Sequence, residues 1–262
     1  MVPVPLNRSG LLAPLFRDVE ETMAWSFLQG CMGRGAADRL PQPRAGRIVT
    51  GDFCFLAGDA DSPDAERLAE TLWEDAPNAF SLLIPPDRAW LQLIERVFAG
   101  RCTMLRRYAF RKTALGFNIA RLRSYAARPL PPGFRLVPVG AGLYRSVQKQ
   151  AQLADLCSQF PSYLSYKRQG RGFAILYRGR PVCGASSYTV FKGGIEIEID
   201  TLPGFRRRGF ATVCAAALML SCLEDGLYPS WDAANPTSCA LAEKLGYRPS
   251  GAYTACLVTR QD

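Results

Sequence analysis

The sequence predicts an α/β (α+β) fold in two parts, an N-terminal α/β region of residues 1–127 and a second domain of residues 128–262. The boundary rests on the stretch "AARPLPPGF" at 126–134, whose prolines and glycine interrupt periodicity as a linker does. Beyond it, the strictly alternating segment "GIEIEIDTLP" is followed after a short basic turn by a long apolar stretch. This succession predicts a half-buried strand that leads into a buried helix.

Elements of both kinds alternate in the first region, which carries no recognisable active-site motif. The spacing of apolar residues predicts helices and strands in turn. The predicted helices cover 19–29, 64–74 and 87–98, and the strand-like segments cover 47–58 and 79–86.

The second region is more clearly punctuated, with turn residues between its periodic segments. No internal repeat of fixed period and no low-complexity tract occurs in the chain. We predict, in order, a strand at 134–139, a helix at 142–158, paired strands around the turn at 179–181, a strand at 194–203, the apolar helix, a strand at 228–232, a helix at 236–245 and a final strand at 252–258.

Charge and composition limit the function classes. The 262 residues include 48% hydrophobic residues, as in an ordinary globular protein, and carry a net charge of +9. An excess of cations favours an anionic partner, such as nucleic acid, an acidic membrane or a phosphorylated cofactor. The interrupted N-terminus and the shortness of the longest apolar run lead us to expect a cytoplasmic protein without a membrane partner.

Cysteine and histidine usage excludes several chemistries. The chain has no histidine, so His-dependent metal sites and Ser-His or Cys-His catalysis are excluded, and we expect no metal. No pair of cysteines has the C-x-x-C spacing of a zinc or redox site. We interpret the nine dispersed cysteines as reduced core residues: Cys31, Cys54, Cys102, Cys157, Cys183, Cys214, Cys222, Cys239 and Cys256.

Three consecutive arginines stand directly before the apolar helix, in "TLPGFRRRGFAT" at 201–212. A helix N-terminus already attracts anions through its unpaired N–H groups and the helix dipole, and arginines strengthen this. Gly209 lets the backbone approach a ligand closely, while Ala211 and Thr212 keep the first turn narrow. The pattern predicts a phosphate or pyrophosphate site, with a solvated basic turn as the alternative.

The order of these features resembles the GNAT superfamily of acyl-CoA-dependent N-acyltransferases. The resemblance rests on R-x-x-G-x-A at 206–211, the buried helix that follows, and "NPTSCALAEKLGY" at 235–247. It covers 134–257 and implies a mixed, mostly antiparallel sheet flanked by helices, with acetyl-CoA as co-substrate. The residues it implies for the cofactor are Thr201, Leu202, Arg206, Arg207, Arg208, Gly209, Phe210, Ala211, Thr212, Asn235 and Ser238.

A closer likeness extends over nearly the whole chain. Segments such as "LLIPPDRAWLQLIE" and "GASSYTVFKGGIEIEIDT" resemble the GNAT subfamily that includes zwittermicin-type antibiotic-resistance acetyltransferases. The likeness implies that the N-terminal region belongs to the enzyme and contributes to the acceptor pocket. We expect transfer of an acetyl group to a primary amine of a small molecule. The identity of the amine does not carry over.

Carboxylates are the candidates for accepting the amine proton, because histidine is absent. Glu196, Glu198 and Asp200 share one face of the alternating strand, just before the arginine turn. Like charges two residues apart raise each other's proton affinity. We favour Glu198 over Glu196, because it lies closer to the strand end where the thioester arrives. The alternative is a solvated polar face.

The sequence lacks the side chain that protonates the leaving thiolate in the family, because Ala242 stands where the family has a tyrosine. Ser238, one turn beyond Asn235, is a candidate hydrogen-bond donor to the thiolate. Tyr247 is a weaker candidate and water is another. Trp231 and Asp232 end the short strand, and Asp232 either caps the next helix or meets a cationic acceptor.

Two other functions stay open. The segment "RCTMLRRYAFRK" at 101–112 alternates cations with aromatics and allows nucleic-acid binding, although we expect no nucleic-acid partner; a basic strand or turn explains it equally. The missing tyrosine also allows a catalytically silent acyl-CoA-binding module.

Overall fold

The computed structural model describes residues 1–260 and comprises two compact units. The first unit contains residues 1–107 together with the chain from 252 onward, and the second contains residues 108–251. The division at 127/128 concerns a linker between folding domains and stays a prediction.

The first unit is built on an antiparallel meander that ends in one parallel pair. Its strands run in the order β1, β2, β3, β4, β5, and β4 and β5 are parallel. The strands are β1 (Val2–Val4), β2 (Arg34–Ala37), β3 (Ala45–Thr50), β4 (Phe53–Gly58) and β5 (Phe80–Ile84), and the helices are α1 (Thr22–Leu28), α2 (Ala65–Glu70) and α3 (Arg88–Val97).

The structure divides one predicted strand of this unit and confirms the interpretation of the basic segment as a strand. The strand-like segment 47–58 is a hairpin that turns at Gly51, which takes the left-handed φ of 60°. The basic segment 101–112 contains strand β6 (Cys102–Phe110), which leads the chain into the second unit.

The second unit contains a five-stranded sheet, and the predicted mixed, mostly antiparallel arrangement is confirmed. The order is β11, β10, β9, β8, β7, and only β10 and β11 are parallel. Its elements are α4 (Ile119–Ala126), β7 (Phe134–Pro138), α5 (Ala141–Gln148), α6 (Tyr163–Gln169), β8 (Gly172–Tyr177), β9 (Arg180–Phe191), β10 (Gly194–Thr201), α7 (Phe210–Glu224), β11 (Tyr228–Ser230), β12 (Asp232–Ala233) and α8 (Pro236–Leu245). The last strand, β13 (Pro249–Thr259), begins at the end of this unit and belongs from residue 252 onward to the first unit.

The predicted helix at 142–158 is wrong in its second half. Helix α5 ends at Gln148, and a short 3-10 helix at Ala154–Leu156 follows. Leu153 and Leu156 are fully buried, and Leu156 packs so closely on Gly184 of β9 that a Cβ there would lie 2.6 Å from it. Burial of two residues spaced three apart therefore favours the tighter 3-10 turn.

Helix α7 lies between the sheet and α4, and this burial explains its apolar sequence. Ten of its fifteen residues are buried, and it contacts β8, β9 and β10 on one side and α4 on the other. Alanines and cysteines along it allow close approach to both. The helix therefore has a fixed position at the end of β10. No helix in the described part of the chain is both long and apolar enough to cross a membrane.

Candidate active site

The turn between β10 and α7 has a backbone shaped for an anion. Gly209 is the N-cap of α7 with a left-handed φ of 80°, and Arg207 is also left-handed at 62°. Because Gly209 has no side chain, it leaves the first-turn N–H groups of α7 uncapped. These groups lie at the positive end of the helix dipole, which stabilises anions, and we refer to them as the cradle.

The three arginines of the turn are exposed, and two of them hold the turn together. Arg206 Nε donates to the carbonyl of Thr201 at 3.1 Å. Arg208 donates to the carbonyl of Gly204 at 3.3 Å and stacks over Phe205. Their charges therefore form a rim around the helix N-terminus, as the sequence predicted for a basic turn.

The side chains of several other residues predicted for the cofactor are buried or have partners within the protein. Phe210 and Thr212 are buried in the first turn of α7. Leu202 donates its N–H to the carbonyl of Val182, and Thr201 Oγ1 lies 3.1 Å from Cys183 Sγ. The N–H of Leu202 and the hydroxyl of Thr201 therefore have partners within the protein, and the turn from Arg206 onward carries the cradle.

Strands β10 and β11 part before β10 reaches this turn. Their parallel pairing covers only 194–196 with 228–230. The chain then enters β12, whose two residues pair with β6 at Tyr108 and Ala109 instead of with β10. A slot therefore opens between β10 from Ile197 onward and the chain from Trp231 onward.

The N-terminus of α8 follows this slot and is rigidly arranged. Asn235 Oδ1 accepts from the N–H of Ser238 at 3.0 Å, so Asn235 caps the helix and the capping role considered for Asp232 is wrong. Trp231 Nε1 donates to Ser238 Oγ at 3.1 Å. The hydroxyl hydrogen of Ser238 and the side-chain NH₂ of Asn235 are the donors that this arrangement leaves for a ligand.

The carboxylates of β10 do not form a solvated face. Glu196 is only 3% exposed and stands at the last position paired with β11, opposite Ser230. Glu198 is half-buried, accepts from the N–H of Ile199, and stands opposite Ser186 of β9. Since Ser186 Oγ lies 2.7 Å from Tyr166 Oη on α6, this part of β9 is covered by α6. Glu198 is half-buried, whereas Glu196 is almost fully buried.

Asp200 has a perturbed acidity. Burial raises its pKa to about 6, Asp155 raises it further, and Arg206 opposes both. Asp155 lies in the 3-10 helix that packs near β10. A carboxyl with a pKa of about 6 therefore stands just before the arginine turn that leads into α7. Sequence reasoning missed Asp155, because a single acid in a helix-like pattern gives no signal.

The remaining acid candidates belong to the core. Ala242 is fully buried and has no donor. Tyr247 is buried, and its Oη donates to the carbonyl of Pro229 at 2.5 Å. Burial raises the pKa of Tyr247 well above its usual value. Ser238 therefore stays the side-chain candidate nearest the slot. Within residues 1–260, no group of three or more Cys, Asp or Glu side chains is placed to hold a metal ion.

Two cationic residues near the turn were not predicted from the sequence. Lys244 of α8 lies 3.3 Å from Thr212 Oγ1 and over the ring of Tyr125 in α4. Arg128, just after α4, places Nη1 2.6 Å from where a Cβ on Gly209 would be. Arg128 lies in the proline-rich stretch that we interpreted as a linker, so no local pattern marks it.

Fold and site together define a class of enzyme: a mixed sheet whose central strands part, with an R-x-x-G turn on the next helix. The chain belongs to the GNAT acetyltransferase family, whose model matches residues 13–256. It is therefore an N-acetyltransferase of a family that uses acetyl-CoA.

Individual relatives agree with this assignment over the whole chain. A Bacillus subtilis (strain 168) protein, the uncharacterized N-acetyltransferase YdfB, is 27% identical over 240 residues, which are 89% of this chain and 88% of that protein. A GCN5-related N-acetyltransferase-like protein from Streptococcus suis 89/1591 is 35% identical, with a TM-score of 0.87 over 98% of this chain and 100% of that chain. A tandem GNAT protein from the clavulanic acid biosynthesis pathway, 11% identical, shares the fold with a TM-score of 0.53 over 100% of this chain and 98% of that chain.

Proposed function

We propose that the protein transfers the acetyl group of acetyl-CoA to a primary amine of a small molecule, with Glu198 accepting the amine proton directly or through a water. The observation that most strongly supports this proposal is the slot between β10 and the chain after β11. It has the cradle at one end and half-buried carboxylates along one strand.

The residues of the cradle fit the cofactor. Left-handed Gly209 allows close approach of a pyrophosphate, and the first-turn N–H groups of α7 and the arginine rim supply donors and charge. The NH₂ of Asn235 is placed to bind the pantetheine arm. When bound, acetyl-CoA supplies an acetyl group activated as a thioester.

Proton transfer falls to side chains beside the slot. The attacking amine must be neutral, and the proton released as its nitrogen forms the amide bond goes to Glu198. Ser238, oriented by Trp231, donates its hydroxyl hydrogen bond to the leaving thiolate, and water supplies the proton. Glu196, more deeply buried, is the second candidate for the base.

The carboxylates also support the acceptor class. Glu198, Asp200 and Asp155 lie along or beside the same strand and attract a cationic amine. The likeness to zwittermicin-type resistance acetyltransferases supports a small-molecule acceptor. The contribution of residues 1–127 to the acceptor pocket stays a prediction.

Cofactor binding is tested with Gly209→Val and a matched variant in the same turn, Gly204→Val. Valine at 209 would take a left-handed φ and collide with Arg128, whereas a Cβ at exposed Gly204 meets nothing within 4 Å. Calorimetry should show acetyl-CoA binding abolished in the first variant and retained in the second. Equal affinity in both would remove the cofactor site from this turn.

The base is tested with Glu198→Gln, assayed over a panel of primary amines. We expect kcat to fall on the order of 10²-fold, with unchanged acetyl-CoA affinity and partial recovery at high pH, where more amine is neutral. A wild-type rate would shift the role to Glu196 or Asp200, which the corresponding single variants identify. Binding of acetyl-CoA by the wild type without turnover of any amine would favour the silent module.

A further inference from the structure

Helix α4 brings a fourth arginine to the cofactor turn. Helix α4 packs along α7 and buries Leu122. Two residues after α4 ends, the N–H of Arg128 donates to the carbonyl of Tyr125 at 3.3 Å. The Arg128 guanidinium reaches Gly209, with Nη1 at 2.6 Å and Cζ at 3.5 Å from the position of a Cβ there.

The charges around Arg128 disfavour this position unless an anion is present. The Arg128 guanidinium lies at the N-terminus of α7 and therefore faces the positive end of the helix dipole. Three further arginines, Arg206 to Arg208, precede the same N-terminus. Within residues 1–260, the structure pairs Arg128 with no carboxylate. Asp200 lies near Arg206 and offsets part of the charge, but four arginines leave an excess of positive charge that a polyanionic ligand would neutralise.

Contacts with neighbouring helices hold the end of α4, next to Arg128, in place. Tyr125 accepts at its hydroxyl from Arg121 Nε at 2.9 Å, and its ring lies under Lys244. Lys244 in turn lies 3.3 Å from Thr212 in the first turn of α7. These contacts tie α4, α7 and α8 together beside the cradle, so the backbone of Arg128 is held while its exposed side chain stays free to turn towards a ligand.

We propose that Arg128 is a cofactor-binding residue whose guanidinium pairs with the pyrophosphate of acetyl-CoA at the N-terminus of α7. This inference rests on the proposed function and adds to it a residue outside the R-x-x-G-x-A turn. It also gives Gly209 a second role, because any side chain there would displace the Arg128 guanidinium as well as strain the turn.

The test compares Arg128→Gln with Arg123→Gln, an exposed arginine on α4 itself, by calorimetry with CoA and with 3′-dephospho-CoA. Loss of a charge-assisted pair should weaken binding about 10-fold or more in the first variant and less than about 2-fold in the second. Because both ligands keep the pyrophosphate, the loss in Arg128→Gln should be equal for the two.

Three results would overturn the proposal. Equal affinity of the two variants would show that Arg128 contributes only its overall charge. A loss confined to CoA would place the guanidinium on the 3′-phosphate instead. If the wild type bound neither ligand, the proposed function itself would fail, whereas normal wild-type binding with an indifferent Arg128→Gln removes only the role of Arg128.

Discussion

The two units share an order of elements, yet the helices that link their parallel strands begin with opposite charges. In the first unit α2 connects β4 to β5, and in the second α7 connects β10 to β11. Asp59, Asp61 and Asp64 precede α2, whereas Arg206 to Arg208 and Gly209 precede α7. Carboxylates at a helix N-terminus occupy the place of an anion and repel phosphate. We therefore expect one cofactor site in the chain, in the second unit.

The next helix sharpens the contrast. Helices α3 and α8 are both capped from the side chain, since Asp87 and Asn235 each accept at 3.0 Å from the N–H three residues on. That third residue is Trp90 in the first unit and Ser238 in the second. Trp90 is fully buried and donates from Nε1 to the carbonyl of Gly58, the last residue of β4. The volume of the side chain at this position therefore decides whether the position is filled as part of the core or leaves room for a ligand.

The largest effect that we expect is on the free energy of unfolding, when the tryptophan that distinguishes the first unit is removed. Trp90→Ala should lower the free energy of unfolding by about 3–5 kcal/mol, because it leaves a cavity and removes the hydrogen bond to Gly58. Urea denaturation measures this. The half-buried Trp73 is the control, and Trp73→Ala should cost clearly less. Equal losses would show that Trp90 does not fill a special position.

A tryptophan at position 238, as at the equivalent position of the first unit, should abolish the proposed acetyl-CoA site. Ser238→Trp is expected to weaken acetyl-CoA binding by at least about 100-fold, or about 2.7 kcal/mol, because the indole would obstruct the slot. Ser238→Ala, which removes only a hydroxyl, should retain binding. Undiminished calorimetric affinity in Ser238→Trp would mean that the cofactor does not pass this helix N-terminus.

A smaller effect concerns pH. The pKa of Asp200 is raised from 3.8 to about 6, so the folded state favours its neutral form. Its contribution to stability is complete below about pH 4 and is lost as the pH rises through 6. Given its partial exposure, we expect a change of about 1 kcal/mol. Denaturation between pH 4 and 7 should show this change in the wild type and in Asp61→Asn, the exposed counterpart in the acidic loop of the first unit. It should be absent in Asp200→Asn, and a matching slope there would assign the titration to another group.

Local patterns predicted much of the second unit. Alternation in 194–203 marked β10, which ends two residues earlier at Thr201, and the arginine turn before an apolar run marked the N-terminus of α7. Both signals lie within a few neighbouring residues. Asn235 followed by Pro236 marked the start of α8 correctly for the same reason.

What could not be predicted depends on contacts between distant residues. The shared order of elements in the two units gives no repeat in sequence, since Trp90 and Ser238 occupy equivalent positions with unrelated chemistry. Arg128 reaches Gly209 only because α4 packs on α7. The 3-10 turn at Ala154–Leu156 depends on burial against Gly184, which the spacing of residues 142–158 does not reveal.

Strand β13 has a consequence for how the protein is made. It pairs antiparallel with β5 through 256–259 and 80–83, so the sheet of the first unit is completed by the last strand of the chain. During synthesis on the ribosome, one edge of β5 stays unpaired until residue 259 has emerged, by which time residues 108–251 have already been made. An unpaired apolar edge of this kind is a site of aggregation. A chain cut before β13 would therefore lose part of its first unit, although every residue removed lies at the opposite end of the sequence.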